Sequence, residues 1–204
     1  MEPQSSSNRT VFATVWAQIM RWRRREIHIR ICRNVLSRMR KSIARSYEEH
    51  GGLLLGSIQN SDHQIVVNVE TYIDPGPSAR KSTIALYMDY DYQVALLKVV
   101  RSFHPDVHYI GIWHSHHSNG ATYLSAEDIR YFQDIVQDDQ YKLDNFLALL
   151  VTERDFSYPS AFMFYKDRSD YDEIEVNHKV IRDCNFPMED LLVKLEDLAI
   201  VRWK

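Results

Sequence analysis

The sequence predicts an α/β domain built on a mixed, mostly antiparallel β-sheet with helices packed on its faces. Two observations favour this fold class. Segments that are continuously apolar or rich in β-branched residues alternate with segments whose apolar residues recur every three or four positions. The chain has 204 residues, 45% of them hydrophobic, which is enough to bury the core of one domain with appendages.

The first 24 residues are expected to form an N-terminal extension ahead of the domain, which spans residues 25–204. Phe12, Val15 and Ile19 lie on the apolar stripe of an amphipathic helix. Such a stripe has to be buried on this domain, on a second copy or on another protein. The sequence leaves these alternatives open, and with them the oligomeric state.

The elements of the first half follow from changes in periodicity. Residues 26–31 alternate between polar and apolar like a half-buried strand, and residues 32–46 carry apolar residues at helical spacing. The apolar run within residues 48–58 predicts a buried central strand, and the β-branched segment 64–73 its antiparallel neighbour. Residues 74–82 contain two prolines and a glycine and are expected to be a loop.

The second half is interpreted in the same way. Because helical segments interrupt runs of strands, a mixed sheet covered by helices is the economical architecture. In chain order we expect strands at 83–88, 108–116, 146–152, 160–165 and 174–176, and helices at 90–103, at 126–136 and at the C-terminus from Pro187 onward.

The charge distribution is uneven. Residues 21–45 hold ten arginines or lysines and one acid, Glu26, whereas residues 46–204 hold 14 basic and 26 acidic residues. The basic segment is interpreted either as a solvated helix face or as a docking surface for an acidic partner. Nucleic acid is not expected as a partner, because the acidic remainder of the chain would repel phosphates.

Several features predict the compartment. No apolar run reaches the roughly 20 residues that cross a bilayer. The mildly apolar residues 11–20 lack the preceding basic segment of a signal peptide. Cys32 and Cys184 are the two cysteines, and they lie outside a Cys-x-x-Cys spacing, so we expect separate buried thiols in a reducing compartment. The sequence therefore predicts a soluble, cytoplasmic protein with no membrane partner.

Residues 113–128, WHSHHSNGATYLSAED, contain the residues most suited to chemistry. His114 and His116 are one residue apart at the end of a predicted strand, so both imidazoles point to one side and can reach one metal ion. A catalytic zinc ion needs a third protein ligand and an open fourth position for water. The candidate is Asp128, in the first turn of the next helix, with Ser125 at its N-cap.

Each part of this motif also has an explanation without metal. Ser-x-x-Asp before an apolar helix is a capping box, worth about 1 kcal/mol. His-x-His can arise by chance in a chain with nine histidines. The conjunction favours metal, because the histidines close a buried strand and the cap follows within reach of a loop. A hydrolase also needs a general base. Glu49, just before the start of the neighbouring strand, is the candidate, whereas Glu48 is expected to be a surface acid.

These residues resemble a known family. Glu49 and the following HGGLLLG look like the Glu-x-Gly-Gly-x-Leu-x-Gly strand of the MPN/JAB metalloproteases. His114-Ser115-His116 with Ser125-x-x-Asp128 is similar to their JAMM signature. The segment 76–82, GPSARKS, is similar to a loop of the prokaryotic JAB branch. The resemblance covers about residues 26–178 and implies the MPN/JAMM fold, which is similar to that of cytidine deaminases.

The resemblance also implies a site. Zinc would be held by His114, His116 and Asp128, Glu49 would activate a water molecule, and Ser125 would help to stabilise the oxyanion. The family's usual reaction is hydrolysis of the peptide or isopeptide bond after the C-terminal glycine of ubiquitin or a ubiquitin-like protein. An isopeptidase of this kind is therefore expected here.

Several branches of the family occur in bacterial operons with enzymes of ubiquitin-like conjugation, among them antiphage (CBASS-type) operons. E1- and E2-like operon partners are therefore part of the expectation. Two alternatives stay open: a non-catalytic MPN scaffold, and a metallopeptidase that acts on an unrelated substrate.

The motif loop departs from the family pattern in two places. His117 stands where the family usually has proline, and eight residues instead of seven separate His116 from Ser125. Counting from the histidines would make Glu127 the acidic ligand. We retain Asp128, because the serine-to-aspartate spacing belongs to a rigid helical turn and the extra residue can be placed in the loop. His117 is then expected to be an exposed loop residue.

Overall fold

The structure of the chain is a computed structural model. It describes residues 25–44, 46–116, 120–152, 158–184 and 186–187. The helix expected near the N-terminus, the helix expected after Pro187, and His117 lie outside the described residues. In the described part of the chain, no helix is long and apolar enough to span a membrane.

Three α-helices, two single-turn 3-10 helices (Asp139–Tyr141 and His178–Val180) and ten strands make up the described fold. The α-helices are α1 (Arg33–Ile43), α2 (Tyr90–Phe103) and α3 (Ala126–Gln137). The strands are β1 (Glu26–Cys32), β2 (Gly51–Asn60), β3 (Gln64–Ile73), β4 (Arg80–Lys81), β5 (Leu86–Tyr87), β6 (His108–His116), β7 (Asn145–Thr152), β8 (Ser160–Tyr165), β9 (Tyr171–Ile174) and β10 (Ile181–Arg182).

Eight of these strands form one sheet in the order β10-β1-β3-β2-β6-β7-β8-β9, and β4 pairs with β5 in a separate two-stranded sheet. The central strand β2 runs antiparallel to both β3 and β6, and the pairs β7–β8 and β8–β9 are also antiparallel. Parallel pairs join β1 to β3 and β10, and β6 to β7. The predicted mixed, mostly antiparallel sheet is confirmed.

Helices cover both faces of the sheet, and strand alternation assigns each side chain to one of them. The apolar side of α1, with Val35 and Met39, shares a core with Trp113 of β6. The apolar side of α3, with Phe132, shares a second core with Ile112 of β6. His114, two residues after Ile112, therefore faces α3.

Four segments differ from the sequence-based expectation. The predicted loop 74–82 contains β4, the strand expected at 83–88 is limited to β5, the last expected strand lies at Tyr171–Ile174 instead of 174–176, and β10 was not expected. Strands β4 and β10 have two residues each, which is too short to carry a hydrophobic period. In β9 only Ile174 is buried, so this edge strand shows little of the apolar pattern that identifies a strand.

The expectation of two separate thiols is wrong. Cys32 and Cys184 form a disulfide, and their Cα atoms are 5.6 Å apart, within the usual range for such a bond. The short parallel pairing of β1 with β10 places Cys32 opposite Arg182, two residues before Cys184. The two cysteines are 152 residues apart in sequence, so no local pattern indicates the bond.

The disulfide is expected to stabilise the fold. Removing it with a reductant, or with Cys184→Ser, should lower Tm by about 5 to 10 °C, because a cross-link across a long loop restricts the unfolded chain. Thermal unfolding followed by circular dichroism measures this change. The Cys184→Ser protein is the control and should not respond to reductant. An identical Tm of the parent protein with and without reductant would contradict the pairing.

Candidate metal centre

The register between β2 and β6 determines which residues share a face. Gly51 lies opposite His114, and Gly52 lies opposite Trp113. One step further, the backbone N–H of Ser115 donates to the carbonyl of His50 at 2.8 Å. Because directly opposed residues project to the same side of a sheet, Glu49 shares the face of His116 and His114.

The three predicted ligands converge on this face. Nε2 of His114 and Nε2 of His116 are 3.1 Å apart. The Asp128 carboxylate approaches both rings, with Oδ1 at 3.5 Å from Nε2 of His114 and Oδ2 at 3.6 Å from Nε2 of His116. The strand supplies the two imidazoles, and the first turn of α3 supplies the acid.

Each histidine is oriented by its surroundings. The buried ring of His114 packs against Phe132, with 5.8 Å between ring centroids. Nδ1 of His116 lies 3.3 Å from the carbonyl oxygen of Ala121. When Nδ1 of His116 carries the proton and donates to this carbonyl, Nε2 keeps its lone pair for a metal ion.

Asp128 is oriented by the helix cap. The backbone N–H and the hydroxyl of Ser125 donate to Oδ2 of Asp128 at 2.9 and 2.6 Å, and the backbone N–H of Asp128 donates to the Ser125 hydroxyl oxygen at 3.1 Å. The capping box is therefore present, and the same aspartate also faces the histidines. The capping role of Asp128 is therefore compatible with a role as a metal ligand.

The electrostatics of the site favour a cation. Burial disfavours ionisation of Asp128, but hydrogen bonds from His114, His116 and Ser125 outweigh it and hold the pKa of this carboxyl well below its usual range. Burial disfavours the charged form of His116, but Asp128 and, from further away, the charge of Glu49 raise its pKa. Glu49 is thus within electrostatic reach of the ligand cluster.

The geometry fits a zinc ion. Ligand atoms about 2.1 Å from a tetrahedral zinc ion are separated from each other by about 3.4 Å. The two Nε2 atoms are 3.1 Å apart, and each has an oxygen of the Asp128 carboxylate nearby, Oδ1 at 3.5 Å for His114 and Oδ2 at 3.6 Å for His116, all close to that value. Two imidazole nitrogens and one carboxylate oxygen are a donor set that zinc accepts in catalytic sites, with the fourth position open. His114, His116 and Asp128 therefore suit zinc.

The remaining predicted residues lie around this cluster. Glu49 is half-buried, whereas Glu48 and Glu127 are exposed.

Gly51 is the first residue of β2, two positions after Glu49. A Cβ atom at position 51 would lie 2.5 Å from Cδ2 of Leu86 and 2.6 Å from the Trp113 carbonyl oxygen. The Trp113 carbonyl is fixed in the backbone of β6, so this contact is the one that requires glycine at position 51. A strand was expected at 83–88, but its contact with Gly51 was not, because sequence spacing does not indicate which distant segments pack together.

Comparison with known proteins agrees with this fold. Residues 32–165 match the family described as prokaryotic homologs of the JAB domain. The chain belongs to this family. The fold of this JAB domain is similar to the solution structure of protein DSY2949 from Desulfitobacterium hafniense, with a TM-score of 0.54. The two are 22% identical, and the match covers 76% of this chain and 93% of that one. No curated protein matches the sequence.

The JAB domain is expected to bind about one zinc ion per chain. His114→Ala and His116→Ala should each lose most of the metal, because a catalytic site that loses one of its three protein ligands loses affinity. Elemental analysis of the purified proteins by mass spectrometry measures the zinc content. His63→Ala, at an exposed histidine outside the site, is the control. Full zinc content in both site variants would contradict the assignment.

The choice between Asp128 and Glu127 has its own test. Asp128→Ala should abolish zinc binding and also lower stability by about 1 kcal/mol through loss of the capping box. Glu127→Ala should leave zinc content unchanged, because its exposed side chain is outside the cluster. Zinc titration and thermal unfolding measure the two effects. The opposite pattern, with zinc lost in Glu127→Ala alone, would show that the extra loop residue shifts the ligand.

Proposed function

We propose that this JAB-domain protein is a zinc-dependent isopeptidase or peptidase. It hydrolyses the bond that follows the C-terminal glycine of a ubiquitin-like protein or of its conjugate. The observation that supports this most strongly is the position of Glu49, which shares one face of the sheet with the converging His114, His116 and Asp128. A non-catalytic scaffold would need neither a complete ligand set nor an acid beside it.

The reaction requires a Lewis acid and a general base. Zinc held by these ligands supplies the first, because it polarises a carbonyl group and acidifies water. The carboxylate of Glu49 accepts the proton of the attacking water and delivers it to the leaving amine nitrogen. Asp128 stays ionised throughout, since its pKa is held well below the usual range, and so keeps its charge for the ligand role.

Ser125 has two tasks in this proposal. Its hydroxyl donates to Oδ2 of Asp128 and so orients this ligand. To stabilise the tetrahedral oxyanion, the hydroxyl has to turn from Asp128 toward the substrate. The backbone N–H of Ser125 keeps its own hydrogen bond to Asp128 during this turn, so the ligand stays in place.

The surroundings of the site favour an extended, small-residue substrate. Leu86 of β5 packs directly against Gly51, so the approach to His114 along β2 is narrow. An extended tail that ends in glycine can lie beside a sheet edge and present its last carbonyl without side-chain collisions. A ubiquitin-like protein has such a tail. Maturation or removal of this modifier, with E1- and E2-like operon partners, is the proposed setting.

Glu49→Gln tests the proposal. The amide cannot accept the proton, so kcat should fall by a factor of about 100 or more. Zinc content and Tm should stay unchanged, because Glu49 is not among the three ligands. The substrate is a ubiquitin-like protein fused through its terminal glycine to a fluorescent reporter, and rates are compared at equal zinc occupancy. Glu48→Gln, at the exposed neighbouring acid, is the matched control and should be near neutral.

Two results would decide against the proposal. Equal turnover by Glu49→Gln and the parent protein would mean that the base lies elsewhere. A zinc-loaded parent protein that cleaves none of a panel of glycine-terminated fusions would refute the substrate class. Cleavage of unrelated peptides by the same preparation would then favour a metallopeptidase of different specificity.

A further inference from the structure

Ser115 lies between His114 and His116 in sequence, but its side chain does not point to the same face of the sheet as theirs. Successive side chains of a strand point to opposite faces, so Ser115 projects away from the face of His114 and His116. The residue is completely buried. Its hydroxyl is therefore remote from water, from the metal cluster and from an approaching substrate.

The Ser115 hydroxyl instead holds the neighbouring strand. The backbone N–H of His50 donates to Oγ of Ser115 at 2.8 Å. In the other direction, the backbone N–H of Ser115 donates to the His50 carbonyl oxygen, also at 2.8 Å. A regular hydrogen-bonded pair in an antiparallel ladder exchanges two backbone bonds. In this pair, the serine hydroxyl takes the place of the backbone carbonyl of residue 115.

This substitution lies at the entrance of β2. The position of the His50 backbone relative to β6 therefore depends on the side chain at position 115 and not on backbone hydrogen bonds alone. Glu49 is the residue directly before His50. Its backbone N–H donates to the carbonyl of Ser82 at 2.7 Å. The backbone around Glu49 is therefore fixed at two points, by Ser82 and by Ser115.

We propose that Ser115 is a positioning residue for Glu49. Its hydroxyl sets the separation between the Glu49 carboxylate and the histidine-bearing end of β6. Alanine at position 115 offers no side-chain acceptor, so the His50 N–H loses this bond. The loss displaces Glu49. Threonine keeps the hydroxyl and should keep the position. For its effect on turnover, this inference rests on the proposed function.

The test compares three variants of the full chain. Ser115→Ala removes the hydroxyl and Ser115→Thr retains it. Thr71→Val is the matched control, because it removes another buried hydroxyl, on β3. The Thr71 hydroxyl oxygen accepts a hydrogen bond from Nη1 of Arg38 at 3.2 Å. All proteins are compared at equal zinc occupancy, and their Tm values are recorded.

The first measurement does not depend on activity. Amide hydrogen exchange of His50, followed by NMR, should be about tenfold faster in Ser115→Ala, since one hydrogen bond of the amide is lost. It should be unchanged in Ser115→Thr and in Thr71→Val. If exchange at His50 is unchanged in Ser115→Ala, the hydroxyl does not hold this strand and the inference is wrong. This measurement remains decisive even if the parent protein cleaves no substrate and the proposed function fails.

The second measurement is turnover of the glycine-linked reporter. Ser115→Ala should lose about tenfold to a hundredfold in kcat with little change in KM, since a small displacement of a catalytic group slows the reaction. Ser115→Thr and Thr71→Val should keep the parent kcat. Parental kcat in Ser115→Ala, or an equal loss in Ser115→Thr, would overturn the positioning role. Loss of zinc from Ser115→Ala would also overturn it, because the hydroxyl would then support the histidines.

Discussion

The antiparallel pairing of β2 with β6 is the constraint on which the site depends. It places Gly51 opposite His114, and so it brings Glu49, two residues before the start of β2, to the face on which both histidines project. A slip by one residue would turn Glu49 to the opposite face of the sheet. The register of β2 against β6 shifts between Leu54 and Leu55. Residues 51–54, which are nearest the site, therefore pair with β6 in a different register from the rest of β2. Irregularities of this kind are common next to functional sites.

The same pairing concentrates charge at one end of the central strands β2 and β6. Asp128 lies beside both imidazoles, and the charges of Asp128 and Glu49 both raise the pKa of His116. Protons and a metal ion then compete for Nε2 of this ring, because histidine binds metal in its neutral form. Since the pKa of His116 is raised, this competition begins at a higher pH than for an ordinary histidine. Metal affinity accordingly falls as the medium becomes acidic.

Sequence patterns predicted the parts of this arrangement that are local. Strands at 64–73 and 108–116 and the helix at 90–103 have the predicted bounds, because each carries a clear hydrophobic period. The predicted ligands His114, His116 and Asp128 come together, since strand alternation and a helix cap are short-range rules. The link of Cys32 to Cys184, the contact of Leu86 with Gly51 and the bond of Ser115 to His50 depend on long-range pairing. Spacing along the chain carries no signal for them.

X-ray absorption spectroscopy of the zinc-loaded protein tests the central claim most directly. Cys32 and Cys184 would form a second group of metal ligands with Glu70 only after reduction of their disulfide, because the thiolate is the form of cysteine that binds metal. The two groups differ in donor atoms, because zinc–nitrogen distances are about 2.0 to 2.1 Å and zinc–sulfur distances are about 2.3 Å. The account predicts a shell of nitrogen and oxygen with imidazole scattering and no sulfur. A sulfur shell near 2.3 Å, without imidazole, would place the metal at the cysteines and contradict the account.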